Sequence, residues 1–353
     1  MRPLLAALLS ILLVAAGCDR PPRAYGDPSS IIVLAQDALW EQIRDTVIAS
    51  LEPRILTVRQ ERMFRVTQID PTNPDWGTLR QFRQVLLFGR PDDPWIREAA
   101  DEAGRDTLSP PEVFDARNVW VNEQIVTVAV LPPESPVAAV RRLAPRIQER
   151  FDTRFRQLAR QRMYVSGVDQ ELADSLSRIA GFSLMVPQIY APERASDSVF
   201  VFRDLGHGEA DLQRTFLVGW RRGAQRPLGI EDALAWRDTL LARHFGEDVL
   251  TLRDGLRVDT VTTPVGQAIQ IQGSWERPRR EGAWPGGGPF ITRVTRCPSQ
   301  DRTYLLDATL YAPGREKYEY MLQLWTILDT FRCADAQRNV EAGGGKAAGG
   351  RRS

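Results

Sequence analysis

Lysine is almost missing from this 353-residue chain: Lys317 and Lys346 stand among 46 basic residues that are otherwise arginine. Acidic residues number 45, so the net charge is +1 and no overall field draws the protein toward nucleic acid. Histidine is equally scarce. His207 and His244 leave little material for a histidine metal site or a histidine relay. The cysteines are Cys18, Cys297 and Cys333, and their spacing excludes a Cys-x-x-Cys redox pair. Gly-x-Ser-x-Gly, His-Glu-x-x-His and phosphate-loop spacings are missing as well. The sequence therefore points to no catalytic, cofactor-binding or metal-ligating residues.

What is present begins at the N-terminus. Arg2, the apolar segment Leu4 to Val14 and the small residues Ala15-Ala16-Gly17 have the three parts of a secretory signal. The apolar run is shorter than the roughly 18 residues of a membrane span. Leu12 to Cys18 resembles the lipobox of bacterial lipoproteins, which implies removal of residues 1–17 and lipidation at Cys18. More than one acyl chain on that cysteine implies stable anchoring, since each buried methylene contributes about 0.8 kcal/mol. Residues 18–30, with Pro21, Pro22 and Pro28, read as a lipidated tether. Cys297 and Cys333 then form an even remainder in an exported chain. They are expected to pair as a disulfide, the alternative being two separate buried thiols.

The mature chain has room for two domains, read here as 31–165 and 166–334, followed by a disordered, glycine-rich tail at 335–353. Ile31 to Ala35 reads as a strand, with Asp37 as the N-cap of a helix carrying Trp40, Ile43, Val47 and Leu51 at helical spacing. Strands are expected at Met63 to Ile69, Val85 to Phe88 and Val119 to Leu131, with residues 90–118 as a long loop or lid. From Pro136 a helix carries Val140, Leu143, Ile147, Phe151, Phe155 and Leu158 on one side. Its other side holds Arg141, Arg142, Arg146, Arg150, Arg154, Arg156, Arg160 and Arg162, which read either as a solvated face or as a contact for anionic lipid.

Beyond Gly181 the pattern turns to strands: Phe182 to Val186, Ser198 to Phe202, Thr215 to Trp220, Val258 to Thr263, Ala268 to Trp275, Phe290 to Val294 and Thr303 to Tyr311. Helices are expected at Ile230 to Phe245 and around Tyr318 to Leu328. The fold class is α+β: an N-terminal α/β unit, then a mainly antiparallel sheet domain flanked by helices.

Gln272 to Glu276, Gly286 to Phe290, Leu310 to Pro313 and Leu324 to Phe331 resemble segments of a bacterial lipoprotein family known as domain of unknown function 4837 (DUF4837). The likeness extends to Met185-Val186-Pro187, Trp236-Arg237-Asp238 and Ser30 to Trp40. Gln272-Gly273 stands where that family often has Arg-Gly, and a third glycine stands where it often has methionine. The strand, Ala-Pro turn and closing helix also look weakly like the folds of PsbP and Mog1, domains that mostly bind partners.

The expected ligand or partner surface comprises Trp275, Glu276, Gly286, Gly287, Gly288, Pro289 and Phe290. The glycine run reads either as a tight turn before a strand or as a backbone cradle for an anion. Glu276, Asp301 and Asp307 are carboxylates for acid-base work, but no spacing shows them converging. His207-Gly208-Glu209 has turn character. The expected function is that of a membrane-anchored lipoprotein facing the periplasm on the inner or outer membrane. It would be a non-catalytic binding or envelope-assembly component with an envelope protein partner, no cofactor and no nucleic acid. The alternatives are a carboxylate-dependent hydrolase of an envelope polymer and a structural spacer.

Overall fold

Ile31 to Leu34 and Val85 to Phe88 are apolar without alternation, which suits strands covered on both faces. Both are fully interior in the computed structural model, which describes residues 22–204, 211–224, 228–246, 248–279 and 285–334. Cys18 and the segment expected to be a signal, His207-Gly208-Glu209, Trp284 and the 335–353 tail lie outside the described residues. The chain divides into two units: residues up to Pro53 with Arg62–Phe155, and Arg54–Glu61 with residues from Arg156 onward. The boundary expected at 165 thus falls ten residues earlier, inside a continuous helix.

In the first unit, β1 (Ser30–Leu34), β4 (Arg65–Ile69), β5 (Gln84–Gly89) and β7 (Ile125–Val130) are parallel, and β6 (Glu112–Arg117) is antiparallel to β7. Their order is β4-β1-β5-β7-β6. Helices α1 (Asp37–Leu51), α2 (Trp76–Leu79), α3 (Pro94–Glu102) and α4 (Pro136–Met163) connect or follow them. The expected lid at 90–118 is corrected to α3 and β6. Pro94 starts α3, and Ile96, Ala99 and Ala100 bury its inner side. Asp37 is not the N-cap of α1; Asp70, beyond β4, accepts from the Asp37 amide at 3.0 Å in its place.

Residues 22–30, expected within a tether, dock on this unit. Ala24 donates to Asn122 at 2.8 Å, and Arg83 donates to the Tyr25 carbonyl at 2.7 Å. The arginine-rich side of α4 is divided. Arg154 turns inward to Asp115 at 2.6 Å, and Arg150 lies 3.6 Å from the same carboxylate, whereas Arg141, Arg142 and Arg146 are exposed.

The short strands β2 (Arg54–Leu56) and β3 (Gln60–Arg62) pair with each other. Within the second unit, α5 (Gln170–Ile179) precedes β8 (Phe182–Ser183), which is shorter than the expected Phe182 to Val186 strand. The main sheet is built from β9 (Ala191–Ser196), β10 (Val199–Asp204), β11 (Gln213–Arg222), β12 (Leu250–Thr251), β13 (Arg257–Thr263), β14 (Gly266–Arg277), β15 (Gly286–Cys297) and β16 (Arg302–Tyr311). Its order is β12-β14-β15-β16-β11-β10-β9, with β13 also on β14, and all its pairings are antiparallel.

Helix α6 (Ile230–Phe245) covers one face, where Leu234 and Leu240 pack with Leu217, Ile271, Phe290 and Leu305. Helix α7 (Tyr318–Leu328) covers the other, where Met321, Leu324 and Leu328 join Phe216, Ile291, Leu306 and Leu310. Strand alternation explains the division, since successive residues of one strand serve opposite cores.

After α7 the chain pairs β17 (Arg332–Cys333) with β8, and Phe331 stacks on Phe182 at 5.8 Å. Cys297 and Cys333 are joined as a disulfide with Cα atoms 6.0 Å apart, closing a separation of 36 residues. The bond fastens β17, the strand after α7, to the end of β15. Replacing Cys333 with serine should lower stability by about 3 to 4 kcal/mol, the chain-entropy value for such a loop. Urea unfolding of oxidised wild type against C333S checks this, and equal midpoints would show that packing alone holds the closing strand.

Candidate functional site

The α6 face of the second sheet carries the polar residues of most interest. Register places Arg203 opposite Thr215 and Thr215 opposite Thr309; the next row holds Gln213 opposite Tyr311. Beyond them, Trp275 and Arg277 stand opposite Gly288 and Gly286. All these side chains share parity with Leu217, Ile271 and Leu305, so all face the α6 side. Helix α6 ends at Phe245 before reaching these rows, and a cleft of about 260 Å³ opens there.

The walls of the cleft are aromatic and cationic. Trp275 and Tyr311 have ring centroids 6.5 Å apart, and the Trp275 indole donates to the Leu310 carbonyl at 3.2 Å. Arg203 lies over the Phe245 ring at 4.6 Å and 3.5 Å from Glu193. Arg277 donates to the Phe245 carbonyl at 3.1 Å and sits 3.2 Å from Asp248. His244 completes the helix side of the lining. Burial, then the Arg243 charge, lowers its pKa below the usual histidine value, with Glu193 opposing and Arg203 adding to the shift.

Gly286, Gly287 and Gly288 form neither the tight turn nor the anion cradle. They are the opening residues of β15, paired with Arg277, Glu276 and Trp275. Their requirement for glycine is spatial. A Cβ on Gly288 would stand 1.8 Å from the Leu310 carbonyl oxygen and 3.2 Å from the Trp275 indole nitrogen. On Gly287 the nearest atom would be 3.1 Å away, and on Gly286 it would be 3.6 Å away, an ordinary contact.

The expected surface is therefore corrected in part. Trp275 borders the cleft, and Gly286 and Gly287 are partly exposed. Gly288, Pro289 and Phe290 are buried, because β15 runs through the middle of the domain at these positions. Glu276 has the opposite parity to Trp275 and points to the other face.

Asp307 is committed elsewhere. It is 2 % exposed on β16 and accepts from Arg237 Nε at 2.7 Å and Thr292 Oγ1 at 2.5 Å. Arg237, itself 1 % exposed, lies 3.7 Å from the Phe290 ring centroid and donates to Thr251, which donates to Asp238. Adjacent on α6, Arg237 and Asp238 thus meet at the Thr251 hydroxyl, while Asp307 is reached by Arg237 and not by Asp238. Along β15, Glu276 and Asp307 pair with Gly287 and Thr292, five residues and about 17 Å apart, on opposite faces. Asp301 sits in the turn before β16 and accepts from the Ala224 amide at 3.0 Å. Among the described residues no three His, Cys, Asp or Glu side chains gather as a metal set.

Sequence reasoning reached Trp275 but missed Arg203, Thr215, Thr309 and Tyr311. The alternation in β10, β11 and β16 identifies which of their residues share a face. Only the pairing of strands distant in sequence brings those faces together.

The match to known families falls on this half of the chain. Residues 169–330 match the family described as Domain of unknown function (DUF4837). That part of the chain is similar to the DUF4837 family. The match includes Met185-Val186-Pro187 and the whole cleft lining, and it stops short of Ser30 to Trp40.

Two solved structures similar to the chain are the Ran-binding protein Mog1p of Saccharomyces cerevisiae and the cyanobacterial PsbP of Synechocystis sp. PCC 6803. Mog1p is 11 % identical, with 44 % of this chain and 92 % of that chain covered and a TM-score of 0.30. The PsbP protein is 15 % identical, with 43 % and 86 % covered and a TM-score of 0.30. No curated protein matches the chain.

Two sets of substitutions test this geometry by urea unfolding. G288A should cost about 1 to 3 kcal/mol or more because a backbone carbonyl must move, while G286A should be near neutral. Equal effects would contradict the close approach at Gly288. R237M or D307L alone should cost about 3 to 5 kcal/mol by leaving a buried charge unpaired, and the double variant should cost far less than the sum. Additive losses would show that the two groups are uncoupled.

Proposed function

We propose that this protein is a lipoprotein held by acylated Cys18 on the inner or outer membrane, facing the periplasm, and that its DUF4837-like domain binds an envelope component without transforming it. The cleft beside Trp275 and Tyr311 carries this reading: it is concave, aromatic-walled and edged by a few polar groups, the usual character of a recognition site. The separation of carboxylates supports binding over hydrolysis. Glu276 and Asp307 lie on opposite faces, and Asp307 is bound to Arg237. A purely structural spacer needs neither a cleft nor exposed aromatic walls.

The anchor and the binding role are tested together in intact cells. Wild-type protein should fractionate with membranes and carry acyl chains on Cys18 by mass spectrometry, and C18S should leave the membrane fraction. A photoreactive residue at Arg279, exposed on the chain just after the cleft, should capture a reproducible envelope partner. An unmodified N-terminus would end the anchor reading. Turnover of a purified envelope polymer by the purified protein would reverse the choice of binding over hydrolysis.

A further inference from the structure

The two edges of the second sheet differ in how they treat an incoming strand. On β9, Pro192 has no amide to offer, and the pairing with β10 shifts register between Val199 and Phe200. Both features discourage a further strand. At the other edge, β13 lies outside β14 in an unbroken register from Arg257 opposite Gln272 to Thr263 opposite Gly266. It has neither proline nor bulge, and its threonines and valines suit a strand.

The outer side of β13 is open. The two-residue loop Pro264-Val265 makes Thr263 and Gly266 a hydrogen-bonded pair, so bonds to β14 recur at Arg257, Asp259 and Val261, while Val258, Thr260 and Thr262 turn amide and carbonyl outward. Among the described residues, no backbone group meets these outward ones. Arg257, Val258, Asp259 and Thr260 are all exposed, Val258 at 40 %. Neither Arg257 nor Asp259 has an ion-pair partner among the described residues.

Charge protects a sheet edge when it is of one sign, because a second copy then meets like charge. Here the signs alternate about Val258. Arg257 and Asp259 flank it with side chains on the α7 face, in line with Gln272 and Ile291 and with Gln270 and Arg293. When two copies pair antiparallel about a twofold axis at Val258, Arg257 of each stands directly opposite Asp259 of the other, with Val258 opposite its twin and Thr260 opposite Leu256. The outward amide and carbonyl of each Val258 then bond to the other. Moving the axis to Thr260, the next residue with outward groups, sets Arg257 opposite Thr263 and Asp259 opposite Val261, which leaves both charges unpaired.

We infer that β13 is a self-association edge, on which a second copy of this chain adds its own β13 in the antiparallel register centred on Val258. The inference goes beyond binding at the cleft, since no cleft residue lies on β13. One pair of edges is small beside the roughly 1,200 Å² or more of a stable complex, so the dimer belongs to the transient class.

Full-length protein in detergent is tested by sedimentation and by disulfide trapping. Wild type should move from monomer toward dimer as its concentration rises. R257D and D259R each set like charges opposite one another twice per dimer and should weaken association about tenfold, whereas the double variant R257D/D259R restores opposite signs and should return to within about threefold of wild type. Both positions are exposed, so the fold should tolerate all three variants. In V258C the introduced thiols stand beside the axis with Cα atoms about 5.5 Å apart, and mild oxidation should yield a covalent dimer well above the wild-type background. In T260C they are four residues out of register, roughly 14 Å apart, and should stay at that background.

A wild type that remains monomeric at every concentration, or a dimer indifferent to both single charge changes, would overturn the inference. So would a double variant as weak as the sum of its parts, because the Arg257 to Asp259 contact is what selects a second copy. Trapping of T260C in place of V258C would overturn the register.

Discussion

The buried ion pair between Arg237 and Asp307 is the constraint on which the C-terminal domain is organised. A guanidinium and a carboxylate taken this far from water need each other and further polar or ring partners. Thr292 and the Phe290 ring from β15 and Thr251 from β12 supply that engagement, leaving Arg237 Nη2 of the pair without a hydrogen bond. The pair thereby fixes the rotation and position of α6 on the sheet. Its carboxyl end, with His244 and Phe245, stops at a defined row of β10, β11 and β16, and the cleft is the space left beyond that end. The two cleft arginines are tied to the same helix end, Arg203 through the Phe245 ring and Arg277 through the Phe245 carbonyl.

Arginine serves similar structural purposes elsewhere in the chain. Arg154 reaches from α4 to Asp115, Arg214 pairs with buried Asp204, and Arg293 reaches from β15 to Asp329 at the end of α7. A planar guanidinium can make several directed hydrogen bonds and lie over a ring, which a lysine ammonium does less well. The near absence of lysine and the +1 net charge thus accompany a structure in which many basic groups are internal fasteners.

Local features of the fold were legible in the sequence. The α6 boundaries at Ile230 and Phe245, the long strands of the second sheet and the Cys297–Cys333 pairing followed from spacing, periodicity and cysteine arithmetic. Segments stabilised by distant contacts were not. Residues 90–118 look polar and proline-bearing, yet α3 and β6 form there because Ile96, Ala99, Ala100, Val113 and Phe114 have a sheet to pack against. The glycine run was misread because three adjacent glycines suggest special backbone angles, whereas the actual demand is a Leu310 carbonyl pressed against Gly288. Asp307 gave no local sign of its partner, 70 residues away on a helix. The candidate site was half visible for the same reason: Trp275 marks one wall, and the rest is distributed over strands whose pairing no local pattern specifies.

The central claim is that binding occurs on the α6 face at the end of that helix. Hydrogen–deuterium exchange on the full-length protein in detergent, with and without solubilised envelope material, tests it most directly. The account predicts added protection confined to Arg203, Gln213 to Thr215, His244 to Val249, Trp275 to Arg277 and Thr309 to Tyr311. Protection concentrated on the opposite face over α7, or none in this set, would contradict it.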